Sequence, residues 1–579
     1  MNRIIFLFLL TLLSAAPLQA EVIELYSKET IEAEIVSRDD HSLTVVSEKN
    51  KPPVKYWSDQ IAAINGKPFY PLDSKLARWI KSNTSPQTDL FKSFFIPEEE
   101  KKDAYKRMGK SDSLTGIIER MIVEEGMSVY DAALGQIIMT LLGDEQSLEQ
   151  AFVPIKYYWK GRFGVVNSLR AGYMSQPYVY DPSQPDVIGS DIAHKGLRGF
   201  VFRIINVHGH YQVSDPLDGK MVFEGFPNSS LIHWEDWKPI AGENAWVVMG
   251  ALHLYHKKHF NPMKRGYKHN FEEEEVLLAQ EMARAALYLQ ADNGGIRMAP
   301  MGTHYTNLGV QKGADLEAVA RFFDEQAREA KTLTPRQIEE GPLAYPDEFK
   351  WYYYEISTEN NLSWYAAFRM LYAVTRGDRY HQAMKDIERY LKSIWNTKKN
   401  YFEQGMHYHP DEQKWHPNTE HFASDVQNWA LVVLGPKTID DWFGQGAAFK
   451  LWRTTKSYSG FKDGSGRLLG VGYTRENDRM SIEWTAGAIF AARFLAAYYR
   501  ESHPDWADEA LRDSVDMRRG MERFRGDFSG SGAAYAYSSK RGWIPFGWFS
   551  HDENIYSLAS TCWVMLVDAH FNPFILLQN

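Results

Sequence analysis

Cysteine is nearly absent from this chain: there is one, Cys562, in 579 residues. No internal disulfide can form, so any large core must be held by packing alone. Long apolar runs are also scarce. The run from Ile4 to Leu13 is too short to span a bilayer. With Arg3 before it and Ala15, Ala16 and Ala20 after it, it reads as an export signal over residues 1–20, with cleavage after Ala20. The mature chain is then expected to lack a transmembrane helix and to lie in a bacterial periplasm or outside the cell. No cysteine follows the run to carry a lipid. Basic charge is missing as well: a net charge of −9 without a long Lys/Arg cluster excludes an electrostatic footprint for nucleic acid. No nucleophile elbow supports Ser-His-Asp chemistry. The cysteine count also argues against zinc held by a thiolate.

Aromatic residues are plentiful. They make up 14% of the chain and include 18 Trp, within a hydrophobic content of 44% and a charged content of 24%, which is a folded composition with surplus rings. The length exceeds what one core usually supports, so a large domain and a smaller one are expected. Residues 21–70 have strand character: Ile31, Ala33 and Ile35 alternate with Glu32 and Glu34, and a second run covers Leu43 to Val46. They read as a small β module of SH3-like or Sm-like kind. Residues 71–111, with Pro71, Pro86, Pro97 and the charged stretch Glu98 to Asp103, read as a polar connection.

Residues 112–579 carry helical periodicity. Ala- and aromatic-rich helices are expected to open near Ser128, Gly242, Ser357, Ser424, Ser481 and Asn554. More charged, amphipathic helices are expected between them, near Ser147 to Trp159, Phe271 to Asp292, Arg379 to Trp395, Thr438 to Thr454 and Trp506 to Phe524, with Ser113 to Glu125 leading. Six inner helices buried on nearly all sides, alternating with outer helices buried on one, describe a mainly α chain folded as an (α/α)6 toroid. Two long insertions, 160–240 and 293–356, are expected to wall a cleft.

A repeated helix opening suggests where chemistry would sit. GENAW, STENNLSWYAAF, SDVQNWAL and SIEWTAGAIFA each set an acid just inside a helix start: Glu243, Glu359, Asp425 and Glu483. Parallel inner helices would gather these acids on one rim. Acids in a first turn also simply complement the helix dipole and cap free N–H groups. Rings and amides accompany them: Trp237, Asn244, Trp246, Asn360, Asn361, Trp364, His421, Gln427, Trp429, Tyr473, Trp484 and Trp548 are the expected substrate contacts, since sugar faces stack on rings and hydroxyls bond amides. Two carboxyls suffice for glycosidic cleavage. Glu483, flanked by Ile482 and Trp484, is the expected acid and Glu243 its partner, with Glu359 and Asp425 able to exchange with Glu243. His407 and His409 match no familiar metal-ligand spacing. Neither a metal nor a cofactor is expected, and the expected partner is a carbohydrate.

These motifs, together with STCW and NPF near the C-terminus, resemble bacterial six-hairpin glycosidase-like proteins. The resemblance covers roughly residues 112–579 and implies the (α/α)6 toroid. It also implies glycoside hydrolase chemistry, with polysaccharide lyase or uronyl epimerase chemistry as the alternative. In those two, Tyr473, Arg475 or His421 would stand nearest a proton shuttle. A non-catalytic glycan- or partner-binding envelope protein is the third reading. Trp484 departs from the family pattern, which often has Gly before the Thr-Ala step.

Overall fold

The computed structural model describes most of 21–68 and nearly all of 73–108, 122–158, 240–259, 270–299 and 351–576, together with short strands between 188 and 225. The chain divides after Pro71 into two compact units. The first is a six-stranded antiparallel sheet: β1 (Glu21–Leu25), β2 (Thr30–Asp39), β3 (Ser42–Val46), β4 (Val54–Trp57), β5 (Ile61–Ile64) and β6 (Lys67–Pro68), in the order β4-β3-β2-β1-β5-β6. Its small core is Ile23, Ala33, Val45 and Ile64. Ala33 is buried while Glu32 on the next pleat is exposed, as a strand period of two requires.

The second unit is helical. In chain order its helices are α1 (Ser74–Ser82), α2 (Glu98–Arg107), α3 (Val129–Leu142), α4 (Glu145–Tyr158), α5 (Ala241–His259), α6 (Glu274–Tyr288) and α7 (Thr358–Thr375). They continue as α8 (Asp378–Ser393), α9 (Ser424–Val433), α10 (Pro436–Phe443), α11 (Ala447–Ser459), α12 (Ile482–Tyr499), α13 (Pro504–Met521) and α14 (Leu558–Asp568). Six of them form a closed ring in which each packs on the next: α3, α5, α7, α9, α12, α14 and back to α3. These are the Ala- and aromatic-rich helices; α5, α9 and α14, for example, are buried almost throughout. The outer layer buries only a stripe. In α8 the stripe is Tyr380, Ala383, Ile387, Tyr390 and Leu391, at the spacing of one helix face. The architecture is an (α/α)6 toroid.

Three expectations change. Residues 71–111 are not merely a connection, because they contain α1 and α2, and α1 packs on α14 as the outer member of the sixth pair. The expected helix from Thr438 to Thr454 is two helices, broken where Gly444 and Gly446 adopt φ of +98° and +80°. The last inner helix opens at Leu558 rather than near Asn554. The expected helix from Ser113 to Glu125, the signal over 1–20 and most of both insertions lie outside the described residues.

Rings from several inner helices meet inside the toroid. Trp246 of α5 lies 5.0 Å from Tyr130 of α3, 5.6 Å from Trp429 of α9 and 5.9 Å from Trp563 of α14, centroid to centroid. Phe574, beyond the last helix, inserts beneath them, 5.1 Å from Trp246 and 5.2 Å from Trp429. Its segment is fastened there by polar bonds: Arg369 Nη2 donates to the Phe574 carbonyl at 3.1 Å, and His253 Nε2 lies 2.9 Å from the Pro573 carbonyl. Arg369 Nη1 also donates to the carbonyl of Val433, the last residue of α9, at 2.9 Å. The Asn572-Pro573-Phe574 segment therefore plugs the end of the ring where the inner helices finish.

Candidate active site

The opposite end, where the inner helices start, collects the acids. In five of the six inner helices a first N–H is taken by a carbonyl of the segment that leads to the next inner helix round the ring: Ala241 bonds Met298, Thr358 bonds Gln404, Ser424 bonds Tyr473, Ile482 bonds Tyr537 and Leu558 bonds Ser93. Ser357, Ser481 and Ser557 cap α7, α12 and α14, their hydroxyls accepting from the N–H groups of Asn360, Trp484 and Ser560 at 3.2 to 3.3 Å. Capping is thus done by serines and carbonyls in α7 and α12. Glu359 and Glu483 are left for other partners. Asp425 does use one oxygen locally, its Oδ1 accepting from the Val426 N–H at 2.7 Å.

Glu359 Oε1 accepts from Ser363 Oγ at 3.1 Å. Glu483 Oε1 accepts from Tyr130 Oη at 2.6 Å, and Tyr130 Oη in turn accepts from Trp563 Nε1 at 2.5 Å, so the carboxyl rests on the aromatic floor. Gly242, the residue before Glu243, touches the next helix so closely that a Cβ would lie 2.2 Å from Asn360 Oδ1 and 3.2 Å from Glu359 Oε2. Only glycine leaves room there, and this contact sets the first turns of α5 and α7 side by side.

Electrostatics join the set. Burial pushes Glu359 up to about 8, and the charges of Asp425, Glu243 and Glu483 all add to the shift. Burial pushes Glu483 up to about 8, opposed by the Tyr130 hydrogen bond and reinforced by Asp131 and Asp425. Asp425 rises to about 7 through burial. The four acids therefore feel one another. Burial thus favours the protonated form of Glu359, Asp425 and Glu483 well above the ordinary carboxylate range, the condition general acid catalysis asks for.

Two participants escape the sequence reading. Tyr130 and Asp131 open α3 at the position the other acids occupy in their helices. Asp131 is buried and rises to about 7 for that reason, against the Ser93 hydrogen bond. The Tyr-Asp-Ala-Ala phrase belongs to the same repeat, and that was the available signal.

The expected sugar contacts divide. Trp246, Trp364 and Trp429 are core residues: Trp246 and Trp429 belong to the floor, and Trp364 Nε1 donates to the Ala241 carbonyl at 2.7 Å. Asn361 and Gln427 spend their amides on backbone, on Ile296 and Ser357 in one case and on Phe402 and Ala423 in the other. Asn244 Nδ2 bonds the Ile240 carbonyl at 2.9 Å. For these six the expectation of a sugar contact gives way to a structural role, because their rings are buried in the interior and their amides are bonded to backbone. Asn360, by contrast, holds a buried Nδ2 with no partner among the described residues, beside Gly242.

Trp484 and Tyr473 pack edge to face at 4.8 Å next to Glu483, and Trp484 stacks on Phe546 at 6.2 Å. His421 lies 6.3 Å from Phe546, and the exposed Trp548 donates from Nε1 to Tyr537 Oη at 2.9 Å. Trp237 lies outside the described residues. His407 and His409 sit on a hairpin strand, with His407 Nδ1 2.8 Å from Glu355 Oε1. Among the described residues no helix is long and apolar enough to cross a membrane.

No family model matches the sequence, and no curated protein matches it. Solved structures do resemble it in fold. A sugar epimerase from a ruminal bacterium has a TM-score of 0.44 at 10% identity, over 86% of this chain and 96% of its own. The cellobiose 2-epimerase of Spirochaeta thermophila has 0.43 at 11%, over 86% and 94%. A family 76 α-mannanase of Bacteroides thetaiotaomicron has 0.37 at 9%, over 77% and 85%.

Proposed function

We infer that the protein is an exported carbohydrate-active enzyme, and within that class a glycoside hydrolase acting on a poly- or oligosaccharide. The observation that carries this reading is the group of four interacting acids at one rim of a toroid plugged at its other end, three of them pushed to about 7 or 8. Hydrolysis of a glycosidic bond needs a protonated carboxyl to give its proton to the leaving oxygen and a second carboxylate to activate water or attack the anomeric carbon. Glu483 serves as the acid, oriented by Tyr130 Oη. Glu243 serves as its partner. Glu359 and Asp425 adjust the field and bind hydroxyls, and Asn360 Nδ2 supplies a donor for a sugar oxygen.

A lyase or epimerase would instead draw a proton from carbon with a Tyr, His or Lys. The local chemistry favours this less: burial pushes the Tyr473 phenol well above its ordinary range, and Arg475 Nη2 is spent on Tyr401 Oη at 2.9 Å. Purified protein on a glycan panel is expected to release reducing sugar, and Glu483→Gln or Glu243→Gln to abolish the release. Full activity in both variants overturns the assignment. A product absorbing in the ultraviolet through a new double bond would establish a lyase instead.

A further inference from the structure

Two connections meet across the start of α12, the helix whose first turn holds Glu483. Residues 394–423 lead from α8 into α9 and residues 522–557 lead from α13 into α14, and α12 packs between α9 and α14. His421 of the first connection lies 6.3 Å from Phe546 of the second, centroid to centroid. Phe546 in turn stacks on Trp484, the residue after Glu483, at 6.2 Å.

The rings continue outward by one step, from Phe546 to Trp548 at 6.0 Å. Trp548 sits on the hairpin of Gly542–Ile544 and Trp548–Ser550, directly opposite buried Ile544, and so shares the hairpin face turned to the toroid. A second line returns from it to the acid. Trp548 Nε1 donates to Tyr537 Oη at 2.9 Å, Tyr537 stacks on Tyr473 at 6.2 Å, and Tyr473 packs edge to face on Trp484 at 4.8 Å. Burial raises the Tyr537 phenol, and the charges of Tyr473 and Glu483 add to the rise. Trp484 and Tyr473 are buried, Phe546 is half-buried and Trp548 is 37% exposed, so the rings grade from the interior to solvent. The hairpin is also held in place: buried Arg479 donates from Nη1 to Ser550 Oγ at 2.8 Å and from Nη2 to the Trp543 carbonyl at 3.1 Å.

We propose that Phe546 and Trp548, with His421 beside them, form the subsite for the leaving group, so that the group released is itself a sugar ring rather than a small aglycone. This rests on the reading of Glu483 as the acid and deepens it. The Glu483 proton goes to the glycosidic oxygen, which keeps the bonding pair as it parts from the anomeric carbon. Whatever that oxygen carries therefore lies on the Glu483 side, where the rings stand. The apolar C–H face of a sugar matches them, and rings already fixed lose little entropy on binding. His421 adds a polar edge for the hydroxyls.

The test gives the full chain two substrates: the shortest oligosaccharide hydrolysed from a glycan panel, and the glycosyl fluoride of the same sugar and anomeric configuration. Fluoride leaves without a proton and fills no sugar subsite. Trp548→Ala and Phe546→Ala are each expected to lower kcat/KM on the oligosaccharide roughly tenfold more than on the fluoride, the worth of one good ring contact. Trp548→Phe keeps a ring and is expected to recover most of that loss. The unfolding midpoint checks that each variant stays folded. Glu483→Gln is expected to fall far more on the oligosaccharide than on the fluoride, because only the oligosaccharide needs the acid. Equal losses on both substrates in the ring variants, or no loss, with Glu483→Gln still discriminating, overturn the subsite and leave the acid assignment standing. Glu483→Gln falling alike on both substrates overturns the acid assignment, and with it the placement of the rings on the leaving side. A panel from which nothing is hydrolysed overturns both.

Discussion

Glu359→Gln should make the protein more resistant to alkaline unfolding. The folded carboxyl titrates at about 8 against 4.5 for a free glutamate, mainly because of burial and secondarily because of Asp425, Glu243 and Glu483. Since the folded pKa lies above the unfolded one, the stabilising form is the protonated one. Its contribution is complete below about pH 4.5 and is lost as pH rises through about 8. A gap of this size corresponds to roughly 5 kcal/mol between the two ends of the titration, an upper figure because a partly exposed rim lets water and side chains relax. Gln removes the ionisation and keeps an oxygen for Ser363 Oγ. At about 2 cal/mol/K per residue, a toroid of about 500 residues has an unfolding entropy near 1 kcal/mol/K, so the midpoint should shift by about 1 °C per kcal/mol. Variant and wild type should therefore unfold together near pH 5 and separate by up to about 5 °C near pH 9, with the variant higher. Scanning calorimetry or fluorescence melts at several pH values and one heating rate would measure it. A separation that stays constant with pH, or that opens toward acid, refutes the buried cluster.

Tyr130→Phe removes the hydroxyl that holds Glu483 down, so the Glu483 pKa should rise and the alkaline limb of the pH–rate profile should move up by about one unit; an unmoved limb separates Glu483 from the acid role. The same change leaves Trp563 Nε1 buried without its acceptor and should cost about 1 to 3 kcal/mol in denaturant unfolding. Gly242→Ala drives a methyl into Asn360 and Glu359, with an expected loss of about 1 to 3 kcal/mol and a larger fall in activity than in stability, read from paired melts and rates. Phe574→Ala empties the plug and should destabilise by about 3 to 5 kcal/mol, measured by guanidinium titration.

The openings of the inner helices were legible because a serine cap, an acid and a run of Ala and rings recur, and each item of that phrase has a local physical cause. Ser357 and Ser481 perform the capping the phrase advertises. What the sequence did not disclose was direction. In an amphipathic helix such as α8 the polar residues reveal which face is buried. An inner helix such as α5 is apolar all round, so nothing in its period tells whether Trp246 faces a ligand or the ring interior. The same blindness hid the roles of Asn361 and Gln427, whose backbone partners lie 65 and 25 residues away. α1 was overlooked because nine residues between prolines carry too little periodicity to stand out, and its place is set by α14 at the other end of the unit.

Closure of the ring by α14 on α3 has a kinetic consequence. The ring cannot close until these two helices, more than 400 residues apart in sequence, find each other. Tyr130 of α3 and Glu483 of α12 bracket the closing helix, so the act of closure also presses the acids together. A step that assembles like charges late is slowed by alkali and eased by acid. Refolding should accordingly accelerate as pH falls toward about 4.5, where the carboxyls begin to enter the ring already carrying their protons.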